Sequence, residues 1–140
     1  MADAVPPSIV PYLTVRDARR ALAFYRDAFG GQTLMVLETE EGHVTHARTR
    51  IGEGLVMLYE EASHPLQGNA APGELGGSPV AIRIEMASPQ AVATTFAGAI
   101  ALGAEAAMEP SDRGWGRMAH LRDPEGHCWS LAATVREAGA

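Results

Sequence analysis

The chain has 140 residues, 46% of them hydrophobic and 20% charged, a formal charge of −6 and a single cysteine, Cys128. A domain of this size buries roughly two-thirds of the surface its unfolded chain exposes, so it needs neither metal nor disulfide merely to stay folded. One thiol excludes an intramolecular disulfide and a Cys-rich zinc cage, an acidic balance with scattered arginines argues against nucleic acid as a partner, and no apolar run approaches the ~20 residues of a membrane span.

The N-terminal Met-Ala-Asp-Ala-Val-Pro-Pro lacks the basic and apolar regions of a secretory signal, so a cytoplasmic protein is expected. The first alternating run, Ser8–Val15, reads as a strand, and Ala18–Phe29 reads as a helix because Ala21, Leu22, Phe24, Tyr25, Ala28 and Phe29 fall at helical spacing before the stop Gly30-Gly31. Three strand-like runs follow: Thr33–Glu38, Val44–Ile51, and Leu55–Tyr59 after the turn Gly52-Glu53-Gly54. Residues 61–78, with Pro65, Gly68, Pro72, Gly73, Gly76 and Gly77, read as a linker loop without an element of its own.

The same succession then repeats. Val80–Glu85 is a strand, Ser88 an N-cap with Pro89 at the first helical position, and the helix runs to Leu102 before Gly103. Glu105–Met108, Gly116–Arg122, and Cys128–Ala132 after the turn Asp123-Pro124-Glu125-Gly126 complete the set. The expectation is a single α+β domain of two tandem βαβββ modules, residues 8–60 and 79–133, forming a curved mixed sheet around a cleft with the helices 17–29 and 89–102 outside.

No GxSxG, P-loop or GxGxxG arrangement is present. Cys128, beside Trp129 in an apolar strand, reads as an inert thiol, and His127 as a turn residue bonded to backbone or water. By spacing, His46 and His120 occupy comparable places in the two modules. They are either half-buried histidines bonded to neighbours or cleft residues acting as a general base or a ligand-bonding donor. Met35, Met57, Tyr59, Met108, Trp115, Met118 and Trp129 lie on strands or flanking turns, where methionine adapts to irregular ligands and aromatics stack on planar ones; Met108 and Trp129 read as core. Trp115 lies in the charged, glycine-containing turn Pro110–Gly116, where burial is hard to arrange, so a ligand or dimer contact is expected of it.

Val10-Pro-Tyr-Leu-Thr-Val15, Ala21-Leu-Ala-Phe-Tyr-Arg-Asp-Ala-Phe-Gly30, His46-Ala47, Trp115-Gly-Arg117 and Asp123-Pro-Glu-Gly-His127 with Trp129, set in two βαβββ modules, resemble the vicinal oxygen chelate superfamily over residues 8–133. That superfamily includes glyoxalase I, extradiol dioxygenases, fosfomycin-resistance enzymes and bleomycin-resistance proteins, and the details resemble its PhnB-like and bleomycin-resistance-like subgroups. The resemblance implies a dimer, and in metal-using members it implies four ligands, from the first and fourth strands of each module. Carried onto this chain, those slots fall on Val10, on Met57 or Leu58, on Pro79 and on Ser130, none of them His, Gln or a carboxylate.

The expectation is therefore a metal-free, cofactor-free homodimer that sequesters a planar or cationic small molecule of the natural-product antibiotic type. Trp115, Tyr59, Met57, Met35, His46, His120, Met118 and Ser130 would be its ligand contacts. The acidic net charge favours a cation. The alternative is a glyoxalase-like lyase or isomerase, using either relocated ligands such as His46, His120 and Glu60 or histidine acid/base chemistry.

Overall fold

The computed structural model describes residues 8–61 and 70–135. Its elements are β1 (Tyr12–Val15), α1 (Ala18–Phe29), β2 (Gln32–Glu38), β3 (Val44–Ile51), β4 (Gly54–Glu60), α2 (Pro72–Leu75), β5 (Ala81–Glu85), α3 (Pro89–Ala101), β6 (Glu105–Arg113), β7 (Gly116–Arg122) and β8 (Cys128–Thr134). They build two four-stranded sheets, ordered β1-β4-β3-β2 and β5-β8-β7-β6, each with one parallel pair (β1 with β4, β5 with β8) and otherwise antiparallel. The two βαβββ modules of an α+β fold are present.

The helices begin and end for local reasons. Asp17 stands in extended backbone and its carboxylate accepts from Arg20 N at 3.0 Å, closing the N-terminus of α1, and Gly30 takes the left-handed conformation (φ 69°) that ends it. Ser88 caps α3 in the same way, accepting from Ala91 N at 3.1 Å ahead of Pro89. One face of α1, including Ala21, Leu22, Phe24 and Tyr25, and one of α3, Val92, Phe96 and Ala99, are buried in a single core with Leu13, Val15, Ala47, Val56, Leu58, Leu121, Trp129 and Leu131. Each large apolar side chain so buried contributes about 1.5–3 kcal/mol.

Three differences from the sequence reading exceed two residues. The first strand starts at Tyr12, not Ser8, although Pro11 still offers its carbonyl to Met57 N at 2.9 Å. The linker holds a helical turn, Pro72–Leu75, begun by its proline and ended by Gly76 at φ 81°. The sixth strand continues past Met108 to Arg113, with register shifts on both sides of Met108, so the turn expected at Pro110–Gly116 shrinks to Gly114 and Trp115. A proline in a central strand would break the ladder, but β6 is an edge strand and Pro110 falls in its irregular stretch.

Candidate functional site

Alternation along the strands divides each sheet into a face on the helical core and an open face. In the first module Leu13, Val15, Val56 and Leu58 face the core, which leaves Tyr12, Thr14, Met57 and Tyr59 on the other side. In the second, Ala119, Leu121, Trp129 and Leu131 face the core, which leaves Met118, His120 and Ser130.

Register shows which open-face residues are neighbours. Tyr12 pairs with Met57, Met57 with Arg48, and Arg48 with Met35, a row across all four strands of the first sheet. The matching row of the second sheet is Arg83, Ser130, His120 and Met108. The counterpart of His120 is thus Arg48, not His46; the two histidines sit one row apart, which corrects the equivalence read from spacing. Met108, expected in the core, lies on the open row and is half-buried.

Among the described residues His46 contacts both Arg48 and Tyr12. Arg48 Nε–H, which can only donate, meets His46 Nε2 at 2.9 Å, so that nitrogen accepts and the proton resides on Nδ1, which lies 3.0 Å from the Tyr12 hydroxyl. Tyr12 also meets Tyr59 edge-to-face at 4.9 Å, and Tyr59 is hydrogen-bonded to Thr14 Oγ1. Partial burial and the neighbouring Tyr59 raise the Tyr12 hydroxyl above its ordinary value of 10.0, against a smaller opposing pull from Arg48, so at neutral pH it keeps its proton.

The expected contact residues separate by exposure. Met35 (39%) and Trp115 (39%) are exposed, and Met57, His46, His120 and Met118 are half-buried. Tyr59 (1%) and Ser130 (6%) are buried, which corrects both as direct contacts: Tyr59 braces Tyr12, and Ser130 lies between Arg83 and His120 in the ladder. Trp115 belongs to the second sheet, with the Arg83 guanidinium 5.5 Å from its ring centroid. Sequence reading missed Tyr12, Arg48 and Arg83; their alternation with the core residues Leu13, Ala47 and Ile82 was the available signal. The charged groups it missed are arginines, so the acidic excess of the whole chain does not describe these rows.

Between the modules, a cleft of about 440 Å³ lies along the seam of β1 and β5, lined by Val10, Tyr12, Val80, Ala81, His127 and Cys128 among others. Tyr12 pairs with Met57 as Arg83 pairs with Ser130, so the position matching Val10 is Ala81, two residues after the Pro79 expected for that slot. Val10 and Ala81 both line the seam cleft and neither offers a metal ligand.

The relocated set also fails to assemble: among the described residues no three His, Cys, Asp or Glu side chains cluster as a metal site. The Glu60 carboxylate accepts instead from Ala18 N at 2.9 Å and Val44 N at 3.0 Å, tying α1 to β3. A divalent ion of the kind used by metal-dependent relatives does not fit these residues.

The turn Asp123–Gly126 is structural. Asp123 Oδ1 accepts from the backbone N of Glu125 and His127, and Glu125 accepts from Arg16 N, Asp17 N and the Arg20 guanidinium at the start of α1. His127 donates from Nε2 to the Thr14 carbonyl at 2.8 Å. These bonds join the second module to β1 and α1, which explains the DPEGH segment without a ligand.

The model of the glyoxalase/bleomycin resistance protein/dioxygenase superfamily matches residues 7–131. The chain belongs to that superfamily. An uncharacterised protein of Mycobacterium bovis is 36% identical to this superfamily member over 139 residues, covering 98% of this chain and 90% of the relative. TioX from Micromonospora sp. ML1 has a similar fold at 23% identity, with a TM-score of 0.66 and coverage of 94% of this chain and 98% of that one. So does the genomically encoded fosfomycin resistance protein FosX of Listeria monocytogenes, at 19% identity and a TM-score of 0.69, covering 94% and 96%. No helix among the described residues of this superfamily member is long and apolar enough to cross a membrane.

Proposed function

We propose that this superfamily member is a metal-free, cytoplasmic binding protein that sequesters a planar small molecule of the natural-product antibiotic type, without transforming it. One observation carries the reading. The positions that the resemblance implies for metal ligands hold Val10, Met57, Pro79 or its structural counterpart Ala81, and Ser130, while Tyr12, Arg48 and His46 share the open face of the first sheet and Arg83 stands over Trp115 on the second. Such a surface binds by stacking, apolar contact and hydrogen bonds rather than by chelation. Trp115, exposed at a hairpin tip and stacked by an arginine on one side, offers a flat apolar area with only two side-chain torsions to immobilise.

The reading includes a homodimer. Strand β2 is an edge strand whose Leu34, Met35, Val36 and Leu37 are all more than a third exposed, whereas its counterpart β6 is blunted by Glu105, Glu109, Pro110 and Asp112. A second copy pairing at β2 would cover that apolar edge. Light scattering at micromolar concentration tests this, and a monomeric mass removes the dimer from the reading.

Titration of the intrinsic tryptophan fluorescence with DNA-binding peptide and glycopeptide antibiotics tests the binding itself. Saturable quenching, with reduced susceptibility of an expressing host, is the expected result. Absence of both, or turnover of a bound compound, overturns sequestration.

A further inference from the structure

Arg48 is unlike the other arginines of the described chain. Arg16, Arg19, Arg20, Arg26, Arg83, Arg117 and Arg122 are each ion-paired with a carboxylate, and Arg50 and Arg113 are exposed to water. Arg48 is half-buried, and no carboxylate of the described residues pairs with it. Its side-chain hydrogen bond among the described residues is to His46, through Nε. That bond fixes the guanidinium plane and leaves the two Nη groups, the end of the fork that matches a carboxylate. A cation withdrawn from water without a counter-ion is unfavourable for folding alone, so its retention on an open face points to an anion supplied from outside.

The surroundings narrow the class. Met35 and Met57 flank Arg48 on the neighbouring strands, and Tyr12 follows Met57 at the seam cleft. A row of three strand spacings at ~4.8 Å each spans roughly 14 Å. One cationic fork beside two thioethers and a phenol matches a single carboxylate on an apolar, planar body; a phosphate dianion would ask for more donors than the row holds.

We infer that Arg48 anchors the carboxylate of the ligand, its aromatic body lying over Met57 toward Tyr12, with His46 as the residue that positions the guanidinium. The inference rests on the proposed binding function and names the ligand class for it. It also replaces the cation expected from net charge with an acid.

Calorimetric titration of the full chain with 2-naphthoate, its neutral isostere 2-naphthamide and the cationic 2-naphthylmethylamine tests it, with inorganic phosphate as competitor. The expected order is naphthoate tightest, and Arg48→Met should weaken naphthoate by about tenfold or more while leaving naphthamide within about twofold. Arg48→Lys, which keeps the charge and loses the fork, should recover part of the loss. The comparison of the three probes on the unaltered chain stands even if Arg48→Met fails to fold. Equal affinity for naphthoate and naphthamide, an undiminished naphthoate affinity in Arg48→Met, or displacement of naphthoate by equimolar phosphate overturns the carboxylate assignment. Equal binding of all three probes, lost in Trp115→Ala, overturns that assignment and leaves sequestration standing; binding of none also overturns that assignment, while sequestration is decided by the antibiotic titration.

Discussion

The Tyr25 hydroxyl of α1 donates to Asp123 Oδ2 at 2.6 Å, joining residues 98 positions apart in the chain, and the same oxygen accepts from Trp129 Nε1 at 2.8 Å. All three side chains are buried. Asp123 is thereby a carboxylate kept inside the fold by four hydrogen bonds, two from side chains and two from its own turn. Through it the second module's β7–β8 turn is fastened to the first module's helix.

Burial, and then the adjacent Asp123 charge, hold the Tyr25 hydroxyl well above its ordinary value of 10.0. A group whose folded value is raised contributes stability that is complete below the unfolded value, about pH 10, and is lost as pH rises through the folded one. The chain contains no lysine to obscure this range. Tyr25→Phe should cost about 1–3 kcal/mol at pH 7, because Asp123 loses a donor, and should flatten the decline above about pH 10. Urea unfolding at several pH values between neutrality and about 11 measures both, and parallel profiles for the two proteins would refute the assignment.

Thr49 Oγ1 is buried with no hydrogen-bond partner among the described residues. Thr49→Val replaces the hydroxyl with a methyl group of similar size and should stabilise the fold by about 1 kcal/mol, raising the melting temperature by about 3 °C. Calorimetry decides it: a lower melting temperature means the hydroxyl is satisfied.

Gly116 opens β7 at φ 155°, and a Cβ there would lie 2.0 Å from the Ala133 carbonyl oxygen on β8. The obstacle is backbone, which cannot turn aside as a side chain can. Gly116→Ala should cost about 3 kcal/mol by pushing β7 from β8, whereas Gly98→Ala, where a Cβ meets nothing within 4 Å, should be neutral or stabilising. Chemical denaturation of the two variants side by side reads the contrast.

The two tryptophans should separate binding from stability. Trp115, 39% exposed, should cost about 2 kcal/mol of ligand affinity when changed to Ala and leave the melting temperature nearly unchanged. Trp129, 1% exposed, packed on Tyr25 and Phe29 and bonded to Asp123, should instead cost about 3–5 kcal/mol of stability. If Trp115→Ala unfolds the chain while binding persists, Trp115 is a core residue and not a ligand contact.

The sequence by itself determined the paired βαβββ modules, because hydrophobic period, the caps Asp17 and Ser88 and the glycine stops are all local signals. Residue identity alone also shows that Val10, Met57 and Ser130 are neither His, Gln nor carboxylate. Only the tertiary structure decided which open-face residues work together. The β3–β4 and β7–β8 ladders pair Arg48 with Met57 and His120 with Ser130, so the counterpart of His120 is Arg48, not the His46 that spacing suggested. Burial is likewise a property of neighbours: Tyr59 and Ser130 alternate correctly for an open face, yet they are closed off from solvent. That no carboxylate of the described residues pairs with Arg48 is also decided in space, because an ion pair leaves no mark in the order of residues.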